Sequence, residues 1–399
     1  MVELALPSVV CPKCNSVVKA KLINVPQGSG APAASSFESC LRQCHKCGIG
    51  FSNGNSSDIL RLTQIYASPY DIWPPEIRDE CDEALSGALN EVNRPNKRNK
   101  LAFSTSEDHL SWTVFRYLQT SERLGEIFRG LGLLQSSVEP HILMWGAPVP
   151  GAEAEPGRVR AELVRICDRL GERPNRRSEP DVILWSEEDC VFIEVKYRSA
   201  NERRPAAYRN WDRYLNSPGY FADPDRVLQS EAYELARNWR IGSEVAGTRR
   251  FNLINLAPER LFRSDAVLLS EFRESLNQTN ERHFTLLPWE ALVDALGVCD
   301  QWLKQYLVSR RLQRESVELN EAVVEGFIPL CRADEDAGEK NWRVVHEERS
   351  RDPKSEVLCS MFHHDELIAE QRFKRSERPR FMELLNEAIS PNRNPPPPQ

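Results

Sequence analysis

Two carboxylates and a lysine stand at the ends of two neighbouring apolar segments. Asp181 opens residues 181–186, and Glu194 and Lys196 close residues 190–197. Two desolvated carboxylates repel each other unless a cation joins them, and carboxylate oxygens favour hard ions such as Mg²⁺ or Mn²⁺. Such an ion can activate water and stabilise charge on a phosphoryl group, while Lys196 orients the water or neutralises the developing charge. These residue types predict metal-dependent hydrolysis of a phosphodiester.

The segments that carry these residues are predicted to form a β-hairpin. Both are rich in β-branched and aromatic residues, and a short acidic link, residues 187–189, joins them. Folding about Glu188 brings Asp181 opposite residue 194 or 195, and strand alternation places Glu194 and Lys196 on one face. We therefore expect the two acids and the lysine to meet at one end of the hairpin. The alternative is a hairpin whose end is capped by a surface ion pair.

The segments Pro180-Asp181 and Glu194-Val195-Lys196 resemble the motif of the PD-(D/E)XK nuclease superfamily. This superfamily includes restriction endonucleases, RecB-like exonucleases and junction resolvases. The resemblance covers roughly residues 105–300, about half the chain. It implies that Asp181 and Glu194 bind the catalytic metal, that the Val195 carbonyl is a further ligand, and that Lys196 serves the water. The implied fold is α/β, a restriction-endonuclease-like mixed sheet flanked by helices.

A helix before the hairpin is also expected to contribute an acid. An apolar stripe at helical spacing follows Thr105 and Ser106, either of which is a good N-cap. Superfamily members often carry a glutamate on this helix that points at the metal. Glu107 matches that position best and Asp108 second. Acids in a first turn also complement the helix dipole, and this is the structural alternative.

A helix after the hairpin carries Gln229 and Tyr233, four residues apart and thus on one helical face. This spacing resembles the Gln-x-x-x-Tyr motif of the RecB-like branch, which lies near the active site and the nucleic-acid backbone. The separation from Lys196 is longer than that branch leads one to expect. An ordinary amphipathic helix with a solvated polar face is the alternative.

Two Cys-x-x-Cys knuckles near the N-terminus predict a structural zinc site. They are formed by Cys11 with Cys14 and by Cys44 with Cys47. Residues 15–43 lie between them, more than the roughly 15–20 residues usual in such sites, because residues 26–36 have a flexible loop composition. Knuckle, strand (residues 17–25), loop and second knuckle resemble a zinc ribbon. Disulfides and an iron–sulfur cluster are the alternatives, and Cys40 and His45 are interpreted as bystanders.

Composition indicates an ordinary soluble protein of two or three domains, with 399 residues, 40% hydrophobic and 28% charged. The absence of a long apolar run argues against a transmembrane helix, and the cysteine usage and lack of a secretory signal favour the cytoplasm. A net charge of −7 counts against a protein that coats DNA through its overall field. Local arginines on both sides of the hairpin would have to bind phosphates: Arg173, Arg176, Arg177, Arg198, Arg203 and Arg204.

Along the chain we predict a zinc ribbon (1–55), a helical connector (56–104) with an exposed basic end at 93–100, a nuclease domain (105–314), a small α+β accessory domain (315–390) and a disordered proline-rich tail (391–399). Strands interleaved with helices in the third segment imply a mixed sheet. The predicted elements there are helices at 107–130, 157–170 and 290–296 and strands at 141–149, 250–257 and 283–289, besides the hairpin. Three alternating strands from 342, a turn at 363–365 and a helix at 380–389 are expected in the accessory domain.

The leading hypothesis is a Mg²⁺-dependent (endo)deoxyribonuclease, with a role in restriction or anti-phage defence suggested by family habit. DNA is the expected partner, RNA is the alternative to it, and the ribbon or the accessory domain is expected to bind a protein. A homodimer is expected by analogy with duplex cutters, and no membrane partner is expected. The alternatives are a non-catalytic module that binds nucleic acid or protein on a nuclease-like fold, and a ribonuclease or junction resolvase.

Overall fold

The structure of the protein, a computed structural model, describes residues 1–68, 70, 73–149 and 154–312 and three strands at 342–348, 356–363 and 366–374. The chain divides into two units, Met1–Leu312 and Gln313–Gln399. The expected turn at 364–365, the helix at 380–389 and the proline-rich tail lie outside the described residues.

Seven short strands form the first part of the first unit: β1 (Val2–Leu4), β2 (Val9–Val10), β3 (Val17–Val18), β4 (Ile23–Val25), β5 (Arg42–Cys44), β6 (Ile49–Phe51) and β7 (Gln64–Tyr66). The hairpins β2–β3 and β5–β6 each hold one cysteine knuckle, and β7 pairs with β6. The single strand expected at 17–25 is instead two strands, because β3 pairs with β2 whereas β4 pairs with β1.

Two helices, α1 (Pro75–Gly87) and α2 (Arg94–Leu101), connect this part to the core. The connector is therefore helical as predicted, although β7 lies within it. The prediction that residues 93–100 form an exposed basic end is wrong at Lys97, whose side chain is only 6% exposed. Helix α2 packs on the next helix, so one face of a polar segment is turned inward.

The core contains ten helices, α3 (Glu107–Thr120), α4 (Leu124–Gly130), α5 (Ala154–Arg169), α6 (Asp212–Leu215), α7 (Pro224–Ser230), α8 (Tyr233–Ala246), α9 (Glu259–Ser264), α10 (Ala266–Ser275), α11 (Trp289–Leu296) and α12 (Gln301–Ser309). Its six strands are β8 (His141–Met144), β9 (Ala147–Pro148), β10 (Val182–Trp185), β11 (Asp189–Val195), β12 (Arg250–Ala257) and β13 (Arg282–Pro288). They form one sheet in the order β13-β12-β11-β10-β8-β9. Strands β11, β12 and β13 are parallel and the other pairings are antiparallel, so the sheet is mixed.

Strand alternation divides the core into two apolar layers, one on each face of the sheet. Val182, Leu184 and Ile193 belong to the layer that contains residues of α3, α4, α11 and α12. Ile183 and Phe192 belong to the layer that contains residues of α5, α8 and α10. The protein is thus mixed α/β, with a six-stranded mixed sheet flanked by helices, as the sequence predicts.

Two local breaks involve residues with positive φ. The helix expected at 107–130 ends at Thr120 and restarts at Leu124, with Glu122 at φ +55° between the two parts. The strand with a bend expected at 141–149 is confirmed, because Trp145 at +53° and Gly146 at +72° turn β8 back into β9. Gly146 is suited to this turn, since an added Cβ would lie 2.5 Å from a Leu89 side-chain carbon.

The described part of the second unit is a three-stranded antiparallel sheet. Its strands are β14 (Trp342–Glu348), β15 (Glu356–His363) and β16 (Glu366–Lys374), in that order. The alternating pattern predicted all three strands.

Candidate active site and cysteine cluster

The hairpin β10–β11 brings the predicted acids together. Val182 pairs with Ile193, so the next residues outward, Asp181 and Glu194, are opposite each other. The backbone N–H of Val195 donates a 2.8 Å hydrogen bond to Oδ2 of Asp181, which fixes the aspartate against the neighbouring strand. By alternation, Glu194 and Lys196 share the sheet face that α8 covers.

Lys196 lies between two carboxylates and is 6% exposed. Its Nζ is 2.5 Å from Oε1 of Glu194 and 2.9 Å from Oε2 of Glu234. The amide of Asn238 donates to the other oxygen of Glu194 at 2.7 Å. Glu234 and Asn238 are four residues apart on α8 and thus share a helical face. Sequence reasoning missed both, because their spacing is that of any amphipathic helix.

Burial sets the protonation of this group. Burial, reinforced by the charges of Glu234 and Asp181, raises the pKa of Glu194 well above its usual range. Burial also raises the pKa of Asp181 to about 7, against the opposing effect of Lys97 and Lys196. Although burial opposes it, Lys196 and Arg237 lower the pKa of Glu234 to about 2. Without a bound cation, therefore, Glu234 is the carboxylate that stays ionised beside Lys196, whereas burial favours the neutral form of Glu194.

A second buried lysine enters the same region from α2. Nζ of Lys97 lies 2.7 Å from Oδ1 of Asp108 and 3.3 Å from Oε1 of Glu179, and it lies 5.5 Å from the centre of the Trp145 ring. Its charge also acts on Asp181. Sequence reasoning assigned Lys97 to an exposed connector because the composition of that segment is polar. The burial of one lysine among the five other polar residues of α2 leaves no compositional signal.

Glu107 and Asp108 begin α3, whose N-cap Ser106 accepts a hydrogen bond from the backbone N–H of His109. Oε1 of Glu107 accepts hydrogen bonds from the Tyr197 backbone N–H at 2.8 Å and the Ser199 hydroxyl at 2.7 Å. Glu107 is therefore held at the end of β11. Asp108, the second choice from the sequence, is the acid whose charge affects Asp181.

Gln229 and Tyr233 do not share one helix, contrary to the sequence prediction. Gln229 is exposed on α7, and Tyr233 begins α8 after a break in which Glu231 has φ +56°. The ring of Tyr233 is buried and contacts the rings of Tyr208, Trp211 and Tyr214. The left-handed residue interrupts the helical repeat on which the predicted shared face depended. The side chains of α8 that reach the acids are Glu234 and Asn238, one and five residues further on.

An unsatisfied amide lies beside the acids. Asn255 on β12 pairs in parallel register with Glu194, so the two side chains point to the same face of the sheet. Asn255 is fully buried, and within the described residues neither its Oδ1 nor its Nδ2 has a hydrogen-bond partner. Such a group is costly unless a water or another ligand satisfies it. An asparagine inside the otherwise apolar β12 was the available sequence signal.

The donor set fits a hard divalent cation. Asp181 and Glu194 are desolvated oxygen ligands on one face of the sheet, and a hydrated ion held by them would bring water to the amide of Asn255. To bind the ion, Glu194 would have to be ionised and exchange its contact with Lys196 for the ion. In the part of the chain that the structure describes, these acids do not converge as the cysteines do.

The four knuckle cysteines form a compact cluster. The Sγ atoms of Cys11, Cys14, Cys44 and Cys47 lie within 4.8 Å of one another. Burial raises the pKa of Cys44, as expected for a thiol crowded by others without a cation to hold the thiolate. Cys40 lies outside the cluster and donates to the Ser36 carbonyl, and His45 contacts the Phe37 ring. The arrangement is compatible with a structural zinc site.

The arginines around the hairpin differ in their partners. Arg177 pairs with Asp168 at 2.8 Å, Arg203 pairs with Asp265 at 3.0 Å, and Arg204 pairs with Glu202. Arg198 is exposed and lies 5.8 Å from the Tyr197 ring centre. Of these four, Arg198 is therefore the best placed to meet an external anion.

The chain matches none of the protein-family models, curated proteins or solved structures with which it was compared. Among the described residues, no helix combines the length and the apolar character needed to cross a bilayer.

Proposed function

We propose that this chain is a metal-dependent nuclease that hydrolyses phosphodiester bonds in DNA and that its core belongs to the PD-(D/E)XK superfamily. The observation that carries the proposal is the register of β10 with β11. It sets Asp181 opposite Glu194 with Lys196 on the same face, and all three are desolvated. A structural hairpin has no need of two acids whose pKa values are both raised by desolvation, because desolvating a carboxyl group costs stability.

In this proposal Asp181 and Glu194, with the Val195 carbonyl, hold a Mg²⁺ or Mn²⁺ ion. When bound, the ion supplies an activated water and stabilises charge on the phosphoryl group. Lys196 orients that water or neutralises the charge on the phosphate, and Glu234 keeps the ammonium of Lys196 in place once Glu194 turns to the ion. Glu107 holds the end of β11 through the Tyr197 N–H, so we assign it a positioning role.

Lys97 and Asp108 set the electrostatics of the site from the opposite side. Their 2.7 Å contact places a buried cation beside Asp181 and thus favours the ionised aspartate that a metal ion requires. The zinc-ribbon assignment belongs to the same proposal. Zn²⁺ in the four-cysteine cluster would stabilise a module with little apolar core of its own, and that module would bind substrate or a protein partner.

A cleavage assay tests the proposed function. Purified protein is incubated with linear duplex, circular and single-stranded DNA and with RNA, each in Mg²⁺, Mn²⁺ or EDTA. The test variant is Glu194→Gln, and the matched control is Glu188→Gln, an exposed glutamate in the turn of the same hairpin. We expect ion-dependent cleavage that falls by roughly 100-fold or more in Glu194→Gln and is unchanged in Glu188→Gln.

Circular dichroism of both variants shows whether the fold is intact. Cleavage of RNA alone would replace deoxyribonuclease by ribonuclease. Full activity of a folded Glu194→Gln variant, or no cleavage of any substrate in either ion, would overturn the proposal in favour of a binding module.

A further inference from the structure

A pocket lies where the cysteine-bearing module, the segment before α3 and the end of α12 meet the segment after β11. Strand β7 contributes Gln64 and Tyr66 to its wall, and the residues just after β11 contribute Tyr197 and Arg198. The remaining wall residues are Ile59, Leu62, Ser104, Ser309 and Arg311. The pocket thus begins at the strand end that carries the candidate active site. None of its wall residues belongs to the acid cluster, by which we mean Asp181, Glu194 and Glu234.

The pocket wall is positively charged although the chain is acidic. The whole sequence has 59 Asp and Glu against 52 Lys and Arg. The wall contains two arginines, Arg198 and Arg311, and no carboxylate. Its remaining polar groups are the hydroxyls of serine and tyrosine and the amide of Gln64, which can donate to an anion. Both arginines are exposed, so a ligand can reach them from solvent.

A third arginine lies between two residues of the wall. Arg310 is 2% exposed, and its guanidinium lies 4.7 Å from the centre of the Tyr306 ring. Within the described residues its Nε and Nη1 atoms have no hydrogen-bond partner, its Nη2 atom lies 3.4 Å from Nδ1 of His109, and it forms no ion pair with a described carboxylate. Although burial opposes it, the nearby tyrosines Tyr306, Tyr66 and Tyr197 raise the pKa of Arg310, and Tyr66 and Tyr197 both line the pocket. A buried cation without a counter-charge is costly, and an anion in the adjacent pocket would offset that cost.

The backbone at the end of α12 holds these arginines in an unusual conformation. Arg311 has φ +53°, a left-handed backbone conformation that residues other than glycine rarely adopt. The Tyr197 hydroxyl donates a 2.8 Å hydrogen bond to the Arg310 carbonyl and so ties this turn to the end of β11. The turn and the strand end therefore present Arg311 and Arg198 to the same pocket.

The pocket is also close to the candidate active site along the chain. Arg198 follows Lys196 by two residues, which an extended chain spans in about 7 Å at most. Tyr197 lies between Lys196 and Arg198, and its backbone N–H donates a hydrogen bond to Glu107. One polymer chain can thus contact Arg198 while its reacting group lies at Lys196.

We propose that this pocket binds a backbone phosphate of the nucleic-acid strand, at a position next to the phosphate that is cleaved, through Arg198 and Arg311. This inference rests on the proposed function. Arginine provides paired donors that match phosphate oxygens, and the half-buried ring of Tyr66 suits a base or sugar beside that phosphate. The pocket would set the position of the strand, whereas the acid cluster would perform the reaction.

The test measures binding without catalysis. Labelled single-stranded and duplex oligonucleotides are titrated in EDTA by fluorescence anisotropy at several salt concentrations. The variants are Arg198→Gln, Arg311→Gln and the double variant, and the control is Arg165→Gln. Arg165 is an exposed arginine on α5, which packs on the opposite face of the sheet from α3 and α12. Thermal unfolding shows that each variant is folded.

For each pocket variant we expect the slope of log K against log salt to fall by about 0.7 to 1, and by about twice that in the double variant. The control should keep the wild-type slope. Unchanged slopes in both pocket variants, or no nucleic-acid binding by the wild type, would overturn the inference. A thermal shift with inorganic phosphate that requires Arg198, alongside unchanged slopes, would assign the pocket to a free phosphate and also overturn it.

These outcomes are separate from those of the cleavage assay because no metal ion is present. A protein that shows the slope change but never cleaves retains the phosphate site and loses the nuclease proposal. A protein that cleaves, with wild-type slopes in the pocket variants, retains the nuclease proposal and loses this site.

Discussion

Oε2 of Glu234 lies 2.9 Å from Nζ of Lys196, so a helix residue that follows the hairpin by some forty positions provides the charged partner of the candidate catalytic lysine. The same ammonium contacts Glu194, whose pKa burial raises well above its usual range. The lysine therefore has a permanent partner in Glu234 and an exchangeable one in Glu194. This division allows Glu194 to turn to a metal ion without leaving a buried ammonium unpaired.

Substitution Glu234→Gln should lower cleavage by about 10-fold to 100-fold. Without the carboxylate of Glu234, the pKa of Lys196 falls, and the alkaline limb of the pH–rate profile moves to lower pH. Steady-state rates across pH measure both effects. Glu188→Gln is the matched control. A lower rate with an unshifted alkaline limb would show that Glu234 does not set the protonation of Lys196.

Substitution Lys97→Met should destabilise the protein by about 3 to 5 kcal/mol, because Asp108 and Glu179 are left buried without their cation. Lys100→Met, at an exposed position of the same helix, should change the free energy of unfolding by less than about 0.5 kcal/mol. Urea unfolding measures both. Equal stabilities for the two variants would mean that the contacts of Lys97 contribute nothing.

The raised pKa of Asp181 makes the stability of the metal-free protein depend on pH. In the folded state Asp181 keeps its proton up to about pH 7, whereas in the unfolded chain it loses it near pH 4. The folded state therefore binds more protons between these values. The contribution of Asp181 to the free energy of unfolding is greatest below about pH 4 and is lost as pH rises through 7. Each pKa unit corresponds to about 1.4 kcal/mol.

Asp181→Asn removes this group, so in EDTA the variant should lose less stability than the wild type between about pH 5 and pH 8. Chemical unfolding at a series of pH values measures the difference. Asp212→Asn, at an exposed aspartate of α6, should follow the wild-type curve. A variant curve parallel to that of the wild type would contradict the raised pKa.

Asn255→Leu should affect stability and metal binding in opposite directions. Removing the unsatisfied amide should stabilise the metal-free protein by about 1 to 3 kcal/mol. Loss of a polar group beside Glu194 should weaken Mg²⁺ or Mn²⁺ binding by about 10-fold or more. Calorimetry of the ion and thermal unfolding in EDTA give the two values. A destabilised variant with normal ion affinity would assign Asn255 a purely structural role.

Substitution Cys44→Ser should abolish stoichiometric zinc binding, because three thiolates leave the tetrahedral set incomplete. Cys40→Ser, at a buried cysteine outside the cluster, should retain the metal. Metal content after dialysis, measured by mass spectrometry, distinguishes the two. Zinc retained in Cys44→Ser and lost in Cys40→Ser would reassign the ligands.

Local sequence pattern predicted the elements that depend on neighbours along the chain. The alternation of β10 and β11 and the short link between them were enough to place Asp181 opposite Glu194, since hairpin register follows from loop length and strand period. The two Cys-x-x-Cys knuckles predicted the cysteine cluster for the same reason, because each knuckle lies in one turn. The predicted strands β12, β13 and β14 to β16 are likewise confirmed.

The tertiary structure alone decided which distant residues complete the site. Lys97 reaches Asp108 from a polar helix, and Glu234 replaces the predicted Gln229 and Tyr233 because one left-handed residue at 231 breaks the helical repeat. The pocket beside Arg198 also arises only when β7, the segment before α3 and α12 meet at one strand end. Short-range periodicity fixes the direction of a side chain relative to its own element, whereas its partners depend on how elements pack across the chain, and no local pattern records that packing.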